Sequence, residues 1–198
     1  RVEQGIVTPG LEALFIPTHT DAVPCKGKVF SIEMHKKSVE EAGTGDNVGM
    51  CIKGLEKTNM PHGGDVMVDK NDKSLKPVAR FTAQVRTLQI PGELKAGYSP
   101  IGFVRCGHSA CSVREIKWKM GKETGGEKAE GVVALKTNDA AEAVFEPQQP
   151  MVVDQFDKCE GLSRIAFMDG NSAVMLGKVT AVNSRRPGES DDEITLPF

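Results

Sequence analysis

No apolar run in this chain approaches the roughly 20 residues a membrane helix needs, and no leader with a basic start and an apolar middle opens it. Its first residue is Arg1 rather than Met, so a fragment or processed product is expected. Positive charge has no surplus: 25 Lys and Arg against 27 Asp and Glu give a formal net charge of -2. That excludes a globally basic nucleic-acid binder but leaves local patches open, because surface potential depends on where charges sit. The five cysteines, Cys25, Cys51, Cys106, Cys111 and Cys159, are an odd count at irregular spacing. They read as reduced thiols of a cytoplasmic protein, not as a disulfide framework. Neither G-x-x-x-x-G-K-[ST] nor G-x-G-x-x-G occurs, so no phosphate cradle is encoded. A G-x-S-x-G elbow is missing too. The chain reads as non-catalytic, with no cofactor or metal of its own.

Helical periodicity is equally scarce. The one candidate, Ser38–Ala42, is about a turn long and stops at Gly43. What is abundant is short runs of apolar and β-branched residues bounded by Gly, Pro, Asn or Asp, the signature of strands. They are Ala13–Pro17, Gly27–His35, Val48–Lys53, Val66–Asp69, Arg80–Ile90, Ile101–Arg105, Cys111–Met120, Ala141–Phe145, Met151–Phe156, Ser163–Met168 and Ala173–Val182. Asp169-Gly170-Asn171 between the last two is a hairpin signal, since these residues tolerate positive φ. Lys70–Pro77, polar and ended by proline, divides the chain into units of 1–75 and 76–183. Gly121–Gly131 reads as a long mobile loop, and 184–198 as an acidic disordered tail. The expected fold is all-β, with two consecutive antiparallel barrels.

Two constellations could carry chemistry. Cys106-x-His108-x-x-Cys111 offers three possible ligands in six residues, but a structural zinc site wants a second pair, and none lies nearby. Strand alternation puts 106 and 108 on one face and 111 on the other, which favours core thiols and a hydrogen-bonded histidine. The segment Arg114–Lys122 alternates basic and apolar residues. As a strand it shows Lys117 and Lys119 on one face with Glu115, and Ile116, Trp118 and Met120 on the other. That face serves either as a solvated surface or as a row of cations tracking a phosphate backbone.

The order of several motifs adds a resemblance. "RVEQGIVTPG" at Arg1–Gly10, "IEMHKK" at Ile32–Lys37 and "GDNVG" at Gly45–Gly49 resemble the second domain of elongation factor 1-alpha and EF-Tu. "FTAQV" at Phe81–Val85, "IPGELKAGYSP" at Ile90–Pro100, "CGHSAC" at Cys106–Cys111 and "RIAFMDG" at Arg164–Gly170 resemble the third. Residues 1–182 are covered, and the detail is most similar to an elongation-factor-like variant of elongation factor 1-alpha.

The resemblance implies two six-stranded barrels, the first truncated at its amino-terminal edge. It also implies a cytoplasmic factor that delivers aminoacyl-tRNA to the ribosome. GTP and Mg would bind a separate amino-terminal GTPase domain, and that domain, the ribosome and a nucleotide exchange factor are the expected partners besides the tRNA. No membrane partner is implied. Related release or ribosome-rescue GTPases, and a barrel scaffold with no RNA role, are the competing readings.

Residue by residue, Glu33 stands where the family packs a Glu on the terminal adenine, and His35 and Asn47 border the aminoacyl pocket. Cys51 occupies a position that is usually aliphatic. Glu33 and His35, two apart, are expected on one strand face, a platform suited to an adenine. Without the resemblance, Asn47 is a turn residue and Glu33 a solvated charge. His62 falls where the family has an Arg at the tRNA end, and a neutral imidazole weakens phosphate binding. Arg105 and His108 match basic positions of the third domain. With Lys117 and Lys119, chosen on charge alone, they are the expected backbone contacts.

Overall fold

In the computed structural model the described residues are 1–90 and 92–184. The expected acidic tail therefore lies outside them, apart from Ser184, which ends the last strand. The amino-terminal half holds seven strands: β1 (Ile6–Val7), β2 (Glu12–Ile16), β3 (Lys26–Met34), β4 (Lys37–Val39), β5 (Ala42–Gly43), β6 (Gly49–Lys53) and β7 (Val66–Asp69). Five form one antiparallel sheet in the order β4-β3-β2-β7, with β6 also on β3, and β1 pairs with β5 as a separate ribbon. The candidate helix Ser38–Ala42 is thus a correction: Ser38 and Val39 lie in β4, Ala42 opens β5, and Glu40 and Glu41 link the two. Five residues are too few to cover the cost of nucleating a helix, and the neighbouring strand β3 offers ladder partners instead.

The second half is a closed ring. Its strands are β8 (Val78–Thr87), β9 (Leu94–Lys95), β10 (Ile101–Val104), β11 (Gly107–Met120), β12 (Ala129–Glu130), β13 (Ala134–Leu135), β14 (Ala140–Pro147), β15 (Arg164–Asp169) and β16 (Ser172–Ser184). The order β10-β15-β16-β8-β14-β11 is closed by pairing of β10 with β11, and this makes a six-stranded antiparallel barrel as expected. Closure leaves these strands no free edge. Strand β12 adds to β11, and β9 pairs with β13. Asp169 pairs with Ser172 across the Gly170-Asn171 reversal, where Gly170 has φ +55°, so that hairpin forms where it was read.

Alternation fills the barrel. Phe81, Phe145 and Phe167 point inward and are fully buried. Their rings stack, with centroids 5.5 Å apart for Phe81–Phe145 and 4.4 Å for Phe145–Phe167. Outside, Glu146 accepts from Arg80 Nε at 2.7 Å and from Arg114 Nη2 at 2.6 Å. The Arg114 guanidinium, helped by Arg80, holds the Glu146 carboxyl below its ordinary pKa, against the opposing pull of partial burial.

Two expectations change here. Met151–Phe156 is not a ladder strand but an extended strap from β14 towards the one-turn helix α1 (Glu160–Ser163). Met151 and Val153 enter the barrel core, while Val152 joins Ile16 and Val68 of the first sheet. A segment apolar on both faces mimics a buried strand in sequence. Likewise Gly121–Gly131 is not a structureless loop. It opens with a 3-10 turn at Lys122–Thr124, whose Thr124 Oγ1 accepts from the Gly121 amide at 3.0 Å, and Glu123 bonds Lys119 and Lys136.

Deleting the middle ring of the aromatic stack leaves a cavity that closed strands cannot collapse into. Phe145→Ala should lower stability by about 3 to 5 kcal/mol, read as a fall in the urea denaturation midpoint with an unchanged slope.

Candidate nucleic-acid interface

Register decides which expected residues share a surface. Strand β3 runs between β4 and β6, with Glu33 opposite Ser38 on one side and Gly49 on the other. Ser31 pairs with Cys51, so Glu33 and Cys51 project from the same outer face, and both are exposed. Asn47 is exposed in the loop that leads into β6, two residues before Gly49. Phe30 is the extra residue of a bulge between Val29 and Ser31. It is 57% exposed, and Lys53 Nζ sits 3.2 Å from its ring centre. An exposed aromatic ring capped by a cation, beside a carboxylate, forms a platform that sequence reading missed.

His35 corrects the expected geometry. Met34 pairs with Lys37, so His35 and Lys36 make the entire reversal, with φ +52° and +64°. Two residues with positive φ suit a two-residue hairpin turn, because its twist matches that of the strands. His35 therefore does not share Glu33's strand face but sits at the hairpin tip.

Lys117 and Lys119 are a second correction. Strand β11 carries two bulges, with Arg114 and Lys117 as the extra residues. Each bulge resets the alternation, so Trp118 faces out opposite Glu142 while Lys119 faces in opposite Ala141. Lys119 is 7% exposed. Its ammonium lies 3.1 Å from Glu123 Oε2 and 3.5 Å from Asp139 Oδ2 and donates to the Ala134 carbonyl at 3.3 Å. A buried ammonium so paired holds the barrel end together and cannot reach a phosphate without leaving its carboxylates stranded. Lys117 stays half exposed, 3.8 Å from Glu142 Oε1.

Arg105 lies outside the strand in which it was expected. Val104 pairs with Gly107, leaving Arg105 (φ +54°) and Cys106 as the reversal between β10 and β11. Arg105 Nη2 donates to Glu3 Oε2 at 2.8 Å. His108 is exposed on β11 and stacks on Phe103 directly opposite, with centroids 5.4 Å apart. Cys106 is exposed at the turn and Cys111 buried in the core, so the three possible metal ligands do not converge. Burial pushes the Cys111 thiol up to about 12. His62 is exposed, its Nδ1 3.1 Å from Thr18 Oγ1 and its amide donating to Asp65 at 3.0 Å.

The fold brings His62 and Arg105 into one neighbourhood. Gly64, at φ +107°, packs on the Arg105–Gly107 turn so closely that an added Cβ would lie 2.9 Å from Gly107 Cα. The segment before β7 and the Arg105 turn are thus in direct contact, one from each half of the chain.

A further feature was not anticipated. Across the barrel's outer surface His108, Phe103, Ala166 and Leu176 face each other in one row, and Ala110, Ile101 and Met168 in the next. Phe103 is 36%, Ile101 40% and Leu176 49% exposed. A contiguous apolar area on a barrel exterior marks an interaction surface.

Thiol chemistry checks these placements. Under native conditions Cys51 and Cys106 should react promptly with a disulfide reagent, while Cys25, Cys111 and Cys159 should wait for denaturant, as counted by thiolate release.

Among the described residues no helix is long and apolar enough to cross a membrane. Residues 80–180 match the family model described as GTP-eEF1A C-terminal domain-like. The fold is that of sup35 complexed with GDP, at TM-score 0.79 and 20% identity over 91% of this chain and 42% of that one. The structure of sup35 complexed with GMPPNP matches at TM-score 0.80 and 20% identity, again over 91% of this chain and 42% of that one. The chain therefore spans under half the length of the solved structures it matches. With its closed second barrel in the matched region, this chain belongs to the GTP-eEF1A C-terminal domain-like family of translational GTPase barrels.

Proposed function

We propose that this chain is the aminoacyl-tRNA-binding part of a translation elongation factor that delivers its cargo to the ribosome in the cytoplasm. The observation that carries the reading is the exposed platform of β3 and β6. Glu33, Cys51 and the Phe30 ring share an outer surface with Asn47 at its rim. A terminal adenine stacks on such a surface at about 1–3 kcal/mol per base, and the Glu33 carboxylate offers acceptors to its amino and ribose groups. GTP and Mg would bind the GTPase domain of the parent, where a nucleotide exchange factor would act. The work of this chain is to hold the tRNA end in register with that domain.

The parent's GTPase domain is assigned to the apolar rows around Phe103 and Leu176. The chain covers only 42% of the sup35 chains it matches, so a large part of such a protein is available to cover that face. A second reading, a release or ribosome-rescue GTPase whose barrels bind a protein partner, is favoured by the position of His35 at the hairpin tip and of His62 in place of an Arg. Both features reduce the contacts available to a tRNA end.

Filter binding with full-length parent and GTP separates the two. Aminoacyl-tRNA should bind at least tenfold more tightly than uncharged tRNA, and Glu33→Ala should erase most of that difference. Equal affinity for both would sink the elongation reading. For the apolar rows, Phe103→Asp with Leu176→Asp in the full-length parent should speed protease cleavage between GTPase domain and barrels several-fold. Unchanged cleavage would place that domain elsewhere.

A further inference from the structure

Where the first sheet's leading segment meets the barrel, the surface charge runs against that of the chain. Arg164 and Lys178 are directly opposite each other on β15 and β16. Like charges in that position repel, yet the fold keeps both against the Phe156 ring, at 5.6 Å and 4.9 Å from its centre. The Arg105 turn lies at the end of the adjacent strand β10, whose Phe103 pairs with Ala166 of β15. Arg105, Lys158, Arg164 and Arg1 line one open cleft of about 370 Å³ with Glu3 and Glu160.

Both carboxylates are already engaged. Glu3 accepts from Arg105 at 2.8 Å, with Arg1 Nε 3.8 Å from its other oxygen, and Glu160 accepts from Arg164 Nε at 3.0 Å. Among the described residues the Lys158 ammonium has no carboxylate partner within 4.0 Å, and Lys178 has only the Phe156 ring. Four cations thus line the cleft with two engaged carboxylates, and Lys178 stands opposite Arg164, in a chain whose formal net charge is -2. Gly161 keeps the cleft floor open. A Cβ there would stand 2.1 Å from Glu3 Oε2 and 3.0 Å from Arg105 Nη2.

We propose that this seam is an oxyanion site that takes consecutive phosphodiester oxygens of RNA, with Arg164, Lys158 and Lys178 as the contacts and the Glu3–Arg105 pair as their fixed backdrop. Lys158 and Lys178 offer point charges, and Arg164, whose Nε and Nη2 already bond Glu160, offers its Nη1 edge. The site is separate from the Glu33 platform and rests on the RNA-binding reading above. It assigns the phosphate contacts to the seam and not to Lys117 and Lys119, which face Glu142, Glu123 and Asp139.

The test uses full-length parent with a GTP analogue and an RNA hairpin, titrated by fluorescence anisotropy over a range of salt. Replacing both residues, Lys158→Gln with Arg164→Gln, should weaken binding about tenfold at moderate salt. It should also lower the slope of log affinity against log salt by roughly 1.5 to 2, because two phosphate contacts no longer release counterions. Both side chains are exposed, so the thermal midpoint should hold, and a Lys158→Arg variant should keep the wild-type slope. A wild-type slope in the double variant overturns the seam and leaves the RNA reading intact. Wild-type protein whose RNA affinity ignores salt overturns that reading itself. If inorganic phosphate or a glutamate-rich peptide displaces the hairpin at micromolar concentration, the seam belongs to a free oxyanion or an acidic protein, and the RNA assignment falls.

Discussion

Everything in the second half of the chain depends on the pairing of β10 with β11. Those four pairs, from Ile101↔Ala110 to Val104↔Gly107, convert an open sheet into a ring. Once the ring is closed, alternate residues have only one inside to enter, and the phenylalanine stack fills it. The same pairing fixes the Arg105–Cys106 turn, and with it the Glu3 contact and the Gly64 contact that tie the leading half to the barrel. Closure thus sets core and seam together.

The surface divides by chemistry. Over β8, β14 and β11 the exterior carries paired charges, Glu146 with Arg80 and Arg114 and Glu142 with Lys117. Over β10, β15 and β16 it is apolar in two rows and then basic at the seam. An exterior satisfied on one side and unsatisfied on the other is suited to being covered on one side. That asymmetry fits a barrel covered on one side better than a free-standing one.

Much of this was legible in the sequence. Period-two alternation and Gly, Asn and Asp punctuation located the long strands, and the Asp169-Gly170-Asn171 reversal, because a buried face and a turn each impose a local rule. Bulges obey no such rule. Nothing in "REIKWKM" announces that Arg114 and Lys117 are extra residues, so Lys119 seemed to be a surface cation when it is a buried one. Non-glycine residues with positive φ were equally hidden: His35, Lys36 and Arg105 are not turn formers by composition, and only ladder pairing on both sides forces them into that role. The Phe30–Lys53 platform and the seam escaped for another reason. Each joins residues distant in sequence: Phe30 and Lys53 meet across the β3–β6 ladder, and the seam brings Glu3 to Arg105 and Arg164.

The strap at Met151–Phe156 has one more implication. Its Val152 is buried against Ile16 and Val68, while its neighbours Met151 and Val153 are buried inside the barrel. Three consecutive residues thus serve two cores. Pulling the strap away exposes apolar surface on both units, so its burial couples the stability of one to that of the other.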